Sequence, residues 1–286
     1  MATVTRVLPW RRNAAPPAEE IAPLLASFRA SHPKASTTAI ARAYDVAAIA
    51  HRHQVRKSGD PYIHHPLAVA RIVADLGLDD TTIVAALLHD SVEDTQLTLE
   101  DVAAEFGAGV AAIVDGVTKL ERIRFDSKEA QQAATMRKML VAMAKDVRVL
   151  IIKLSDRLHN MSTLAAMPAW KQERIARETI DIYAPLAHRL GMEGMKQQLE
   201  DLGFATLHPK RYAEIDHMVS TRTPERELYL AQVLEQVRGR LAELRIVAEV
   251  TGRPKHLWSI YEKMVVKGKE FDDIFDLVGI RVTVDS

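Results

Sequence analysis

The stretch Ile83-Val84-Ala85-Ala86-Leu87-Leu88-His89-Asp90-Ser91-Val92-Glu93-Asp94-Thr95 constrains the fold of this chain more than any other. Its apolar half can only be buried, yet it runs straight into a His-Asp pair, with two further carboxylates inside one helical turn. Such a segment belongs in the interior of a helical core, delivering ionisable groups to its mouth. At 3.6 residues per turn Glu93 shares a face with His89, and Asp94 with Asp90. The spacing therefore directs four groups to one end of one helix.

A chain of 286 residues can bury one large core or two ordinary ones. Lys+Arg and Asp+Glu balance at 38 each, so no global field draws it to nucleic acid or to a membrane surface. An anionic ligand would need a local basic patch. The absence of cysteine excludes disulfides, thiolate ligands and a Cys nucleophile, and leaves any metal to His and carboxylate. No apolar run approaches the ~18 residues of a membrane span, and residues 1–12 hold no stretch of signal-peptide length. The expectation is a cytoplasmic protein without a membrane partner.

Along the chain, residues 1–17 read as a loose arm. Helical periodicity covers Glu19–Ala30, then a helix capped by Ser36-Thr37 running to about Arg56, and a turn at 57–61. Pro66 opens a helix with Leu67, Ala70, Val73 and Leu76 inward, closed by Gly77; the central helix starts at Asp79 or Asp80. Thr98 with Asp101 opens a short helix ending near Gly107, and Val110–Leu120 forms the next. Residues 121–132 read as a mobile loop or frayed helix. Thr135–Ala144 and Val147–Met161 are helical, the latter deeply apolar, as are residues 170–200, with a kink at Tyr183-Ala184-Pro185. Nothing reads as strand before about 220. A long helix to Leu244 then leads to strand candidates at Arg245–Val250 and Leu277–Val284, flanking a helix at 256–267. The fold class is mainly α, followed by an incomplete α/β segment. Because the last strand has no following partner before Ser286, a truncated segment or a degenerate relic is expected.

His65, His89, Asp90 and Asp156 are the sharpest constellation for chemistry. Imidazole and carboxylate without thiolate suit Mn²⁺, Fe²⁺ or Zn²⁺. Asn160 and Thr163, at i+4 and i+7 from Asp156, share its helix face. Taken singly, His65 would cap a turn, His89 would be a satisfied core histidine and Asp156 would pair with an arginine. Taken together, burying them without a cation is costly. His51, His53, His64, His159 and His188 are structural or supporting, although His64 beside His65 leaves two imidazoles as candidates. Arg137-Lys138 and Arg148 are solvated or paired.

Arg56-Lys57-Ser58-Gly59, Tyr62-Ile63-His64-His65-Pro66, His89-Asp90-Ser91-Val92-Glu93-Asp94, Val114-Asp115-Gly116-Val117-Thr118-Lys119-Leu120, Asp156-Arg157-Leu158-His159-Asn160-Met161 and Ile182-Tyr183-Ala184-Pro185-Leu186-Ala187-His188-Arg189-Leu190-Gly191 resemble the hydrolase half of the long RelA/SpoT homologues of the HD superfamily. The likeness spans about residues 37–285. It implies an HD-type phosphohydrolase region at 37–200, after an N-terminal arm and helix at 1–36, with a helical connector at 201–223 and a truncated synthetase-like segment at 224–286. It further implies that His65, His89, Asp90 and Asp156 hold one Mn²⁺, and that Glu93 and Asp94 form the catalytic acidic pair. Arg56 and Lys57 would lie near guanine and phosphates, and Asn160 and Thr163 would contact the nucleoside. The implied reaction removes the 3′-pyrophosphate of guanosine tetra- or pentaphosphate, with no direct nucleic-acid binding. In the tail, Arg253, Lys255 and Lys263 match phosphate-facing residues of the synthetase and Asp276 a Mg²⁺ ligand. Two other functions compete: a nucleotide-sensing module with poor turnover, and part of a bifunctional synthetase/hydrolase.

Overall fold

The computed structural model describes residues 19–121, 146–221, 223–254, 256–265, 267–274 and 277–284. The arm at 1–17, the weakly periodic stretch at 122–132, the helix Thr135–Ala144, Arg137-Lys138, Lys255 and Asp276 lie outside the described residues. The chain is mainly helical and splits into two compact units, Met1–Pro168 and Ala169–Ser286. The boundary expected at residue 200 falls inside a continuous helix, Glu193–Leu207. Among the described residues no helix is long and apolar enough to cross a membrane.

The first unit holds α1 (Ala22–Ser31), α2 (Thr38–Ala50), α3 (His64–Asp75), α4 (Asp80–Leu88), the single turn α5 (Ser91–Asp94), α6 (Leu99–Phe106), α7 (Ala108–Glu121) and α8 (Val147–Ser162). Helix α4 is apolar on every side and buried from Thr82 to Leu88, as befits a helix inside the core. It packs against α2, α3 and α7, and α8 packs against α3 and α7. Gly116 of α7 permits close approach to α8, since a Cβ there would stand 2.7 Å from a Val149 methyl. Asp79 caps α4 by accepting from the Thr82 amide, and Asp146 caps α8 by accepting from Arg148 N. The Thr98/Asp101 capping box opens α6, and Gly107, at φ 93°, ends it.

Three expectations need correction here. Helix α2 ends at Ala50, six residues early: His51–His53 form a turn, and Val55 instead bridges Pro61 across the reversal containing Gly59, at φ 94°. Leu76 follows the last turn of α3 and is 42% exposed; Val69, Ala70, Val73 and Ala74 form the inward face. The central helix is also not continuous. His89 and Asp90 join α4 to α5, which keeps the direction through an Asp94 N–H to Asp90 carbonyl bond.

The second unit contains α9 (Ala169–Glu178), α10 (Ala184–Arg189), α11 (Glu193–Leu207), α12 (Pro209–Thr221), α13 (Thr223–Glu243), β1 (Ala248–Pro254), α14 (Leu257–Val265) and β2 (Val278–Val284). The expected kink is a π-turn, Thr179–Tyr183, ahead of Pro185. Phe204, Ile215, Ile260, Phe271, Ile274 and Leu277 form the core shared by α11, α12 and α14. The strands pair antiparallel, Ala248 opposite Val284 and Pro254 opposite Val278. The first strand starts three residues later than its hydropathy suggests, because Arg245 turns at φ 58° and leaves Ile246 and Val247 exposed. Gly252 fits within this strand because a side chain there would meet Leu230 of α13 at 2.5 Å.

Candidate metal centre

His64 and His65 open α3, where Pro66 occupies a first-turn position that needs no N–H. His65 turns inward, 2% exposed, and His64 stays at the surface, so only one of the adjacent imidazoles is inside. The apolar run of α4 carries His89 and Asp90 into the core at its end, and α8 brings Asp156 from the other side; all three are buried. One ligand atom each from His65, His89 and Asp156 falls within 4.8 Å of the others, the sole such grouping among the described residues. Asp90 adjoins it, with Oδ1 at 3.0 Å from His89 Nε2 and Oδ2 at 3.5 Å from His65 Nε2. His65 Nε2 lies 3.2 Å from Asp156 Oδ1.

The hydrogen bonds orient these groups. His89 Nδ1 meets the Ala86 carbonyl at 2.8 Å and must donate to it, so in the neutral ring Nε2 carries the lone pair. That buried Nε2 has no hydrogen-bond partner among the described residues, the Asp90 contact lacking the geometry. An orphaned imidazole nitrogen facing a second imidazole and two carboxylates is the donor set a divalent metal takes. The described residues therefore fit such an ion.

Around this centre, Lys153 Nζ donates to Asp156 Oδ2 at 2.7 Å and Asn160 Nδ2 to Asp156 Oδ1 at 2.6 Å. The cation beside Asp156 is thus a lysine one turn earlier, where the alternative for a lone buried carboxylate was an arginine. Arg56 donates to Asn160 Oδ1 at 2.8 Å and stands over the Tyr62 ring. The Tyr62 hydroxyl reaches Asp90 Oδ2 at 2.8 Å and Asp94 Oδ2 at 3.2 Å, so Asp90 and Asp94 share one partner. His51 stacks on Tyr62 and is held by Gln54 and Ser91. Glu93 and Asp94 are exposed on α5, and Lys57 is exposed in the turn after Arg56. Thr163, just beyond α8, donates to the His159 carbonyl at 3.1 Å. Lys263 on α14 and Arg253 on β1 belong to the second unit.

Burial and charge compete at each ionisable group. Burial pulls His65 below its ordinary value. At His89 burial pulls the same way, but the adjacent Asp90 and Asp156 charges prevail and push it up to about 9. Burial would raise both carboxyls; the His89 charge holds Asp90 low, and the Lys153 charge with the His65 contact holds Asp156 well below the usual range. Burial and the Asp90 charge push the Tyr62 hydroxyl up, so it stays protonated and donates. Burial, then the neighbouring His65 and Arg56, brings His159 down to about 4.

Lys153 and Tyr62 were given no role by the sequence reading, whereas His51 was expected as structural or supporting and is found so, behind Tyr62. Lys153 had a signal, its position three residues before Asp156 on one helix face. Tyr62 had none, because its meeting with His51 depends on α2 stopping at Ala50.

Comparison with known proteins converges on the same region. The family described as "HD domain" matches residues 43–193, and the "Region found in RelA / SpoT proteins" matches residues 252–286. A "GTP pyrophosphokinase" of Streptomyces coelicolor is 57% identical over 267 residues, covering 92% of this chain and 31% of that protein. The "Bifunctional (p)ppGpp synthase/hydrolase RelA" of Mycobacterium tuberculosis is 55% identical, over 92% of this chain and 35% of its own length. The "Bifunctional (p)ppGpp synthase/hydrolase SpoT" of Escherichia coli is 49% identical, over 85% and 35% respectively. The chain spans about a third of the length of these relatives. It belongs to the HD-domain family, as a homologue of the RelA/SpoT proteins.

Proposed function

We propose that this chain hydrolyses the 3′-pyrophosphate of (p)ppGpp, releasing pyrophosphate and GDP or GTP, with Mn²⁺ as the metal. The observation that carries this reading is the meeting of His65, His89 and Asp156 around a buried nitrogen with no hydrogen-bond partner among the described residues, inside the HD-matched region. His65, His89, Asp90 and Asp156 would hold the ion, and nitrogen with oxygen donors in the absence of thiolate suits Mn²⁺. Bound there, the cation would supply Lewis-acid charge to the phosphoryl oxygens.

The remaining work falls to the chain's own groups. Glu93 and Asp94 project from α5 on the exposed side of Asp90, where a carboxylate can orient a water and accept its proton as the oxygen attacks phosphorus. Tyr62 holds Asp94 in place from behind. Arg56, fixed by Asn160 and Tyr62, presents a planar cation suited to stacking on a purine or pairing with phosphate, with Lys57 beside it and Thr163 close to Asn160.

The test is release of pyrophosphate from labelled guanosine tetraphosphate by the purified chain, with Mn²⁺ and after chelation. Turnover that requires the metal supports the reading; full turnover after exhaustive chelation overturns it. The names of the relatives and the match at 252–286 favour a second activity, synthesis, which the same assay reads when supplied with ATP and GDP.

A further inference from the structure

His159 has no part in the reading above, yet its ring is in direct contact with one of the four ligands. Its Nδ1 lies 2.8 Å from His65 Nδ1, and the two ring centroids are 4.9 Å apart. A contact between two imidazole nitrogens at this distance is a hydrogen bond only if one carries a proton and the other a lone pair. Which one carries it decides what His65 can do. Its other nitrogen, Nε2, faces Asp90 and Asp156 at the centre. If His159 donates, a neutral His65 bears its proton on Nε2 and has no lone pair to offer there. If His65 donates, its Nε2 is free to ligate.

We infer that His159 is the positioning residue for the cation centre: it accepts the Nδ1 proton of His65 and so fixes the tautomer and ring orientation in which His65 Nε2 presents its lone pair. The inference rests on the metal reading of the cluster and names the group behind one ligand. His89 is oriented in the same manner, by the Ala86 carbonyl. The centre thus has two imidazoles of matched tautomer, one set by the backbone and one by a side chain. Only the second can be altered by substitution, and hydrogen-bonded groups behind metal-ligating histidines are known to tune affinity by 10- to 100-fold.

Two substitutions separate the acceptor from the ring. His159→Phe keeps a flat ring of similar volume and removes the acceptor. His159→Asn places a carbonyl oxygen close to where Nδ1 stood. Mn²⁺ is titrated calorimetrically into the metal-stripped chain, with folding followed by circular dichroism. His159→Phe is expected to weaken Mn²⁺ binding by roughly 10- to 100-fold, and His159→Asn to restore it to within a few fold of the parent. In a His65→Ala background, His159→Phe should have no further effect on affinity, whereas a purely structural role would move it in both backgrounds. Parent-like affinity in His159→Phe overturns the inference, as do equal losses in Phe and Asn or an undiminished loss in the His65→Ala background. Failure of the parent itself to bind Mn²⁺ overturns the metal reading and this inference together, a pattern distinct from the other three.

Discussion

Asp156 in the first unit and Glu200 in the second are close counterparts with opposite electrostatics. Each is a buried carboxylate on a helix with a lysine about one turn before it: Lys153 for Asp156, and Lys196, on α11, for Glu200. Asp156 accepts at 2.7 Å from Lys153 and at 2.6 Å from Asn160, and its carboxyl is held low. Glu200 meets Lys196 only at 3.4 Å; its Oε2 has no hydrogen-bond partner among the described residues, and burial with the Glu262 and Glu193 charges pushes its carboxyl up to about 7. Spacing along the helix is nearly the same, so spacing is not what charges a buried acid. Direct hydrogen bonds in the first ångströms decide. A carboxylate kept ionised in a core among imidazoles can serve a cation. One left to desolvation is an acid awaiting a proton.

The hardest test of this contrast is removal. Asp156→Ala should abolish retention of Mn²⁺, measured by metal analysis after gel filtration, and with it hydrolysis, while Glu200→Ala leaves metal content unchanged. Equal metal retention in the two variants would break the distinction.

Exposed acids mark a third situation. On the proposed assignment the substitutions take away a positioned base and no ligand, so Glu93→Gln and Asp94→Asn should each slow hydrolysis by ~10²- to 10⁴-fold, with metal content near that of the parent. Should either substitution empty the metal site, that residue belongs among the ligands.

The lysines sharpen the comparison at the level of stability. Lys153→Met leaves Asp156 buried without its cation and should destabilise the metal-free protein by about 3–5 kcal/mol, as breaking a buried pair does. Lys196→Met removes two longer contacts, each 3.4 Å, to Glu200 and Glu193, and should cost about 1 kcal/mol or less. Denaturant titration of both variants reads the difference; equal costs would mean that distance is not the deciding factor.

The last effect is in pH. Glu200 has a folded pKa raised from 4.5 to about 7, so the stability its neutral form contributes is fully present below pH 4.5 and is lost as pH rises through 7. The melting temperature of the parent relative to Glu200→Gln should therefore fall by a few degrees across that window. A constant difference between the two proteins would show that folding leaves the Glu200 carboxyl at its ordinary value.

The contrast between the two acids was not legible in the sequence, whereas the cluster itself was. An apolar run ending in His89-Asp90 states its own contradiction, and only burial beside compensating charge resolves it. Lys153 could have been read from the helical period. Tyr62 could not, since a run of helix formers beyond Ala50 disguised the reversal that swings it under Asp90 and Asp94. The first strand shows the same limit. Gly252 and Pro254 are poor strand residues, and they pair because Ile280 and Val278, far along the chain, supply the other side of the ladder. Local preference fails where a distant partner decides.

The Arg148 guanidinium draws together the capping carboxylates of α4 and α8: it pairs with Asp146 at 2.7 Å and with Asp79 at 3.4 Å. His89 stands ten residues after Asp79, and Asp156 ten residues after Asp146. Two rods of equal length, about 15 Å at the helical rise, therefore start from one pinned origin and finish at one point. The molecule carries a pair of matched rulers. Deleting a single residue from either rod would shorten it by about 1.5 Å and rotate its tip by about 100°, carrying the imidazole or the carboxylate away from its counterpart although every residue of the centre is still present. Between Asp79 and His89, and between Asp146 and Asp156, length should thus be under tighter constraint than the identity of any one apolar side chain.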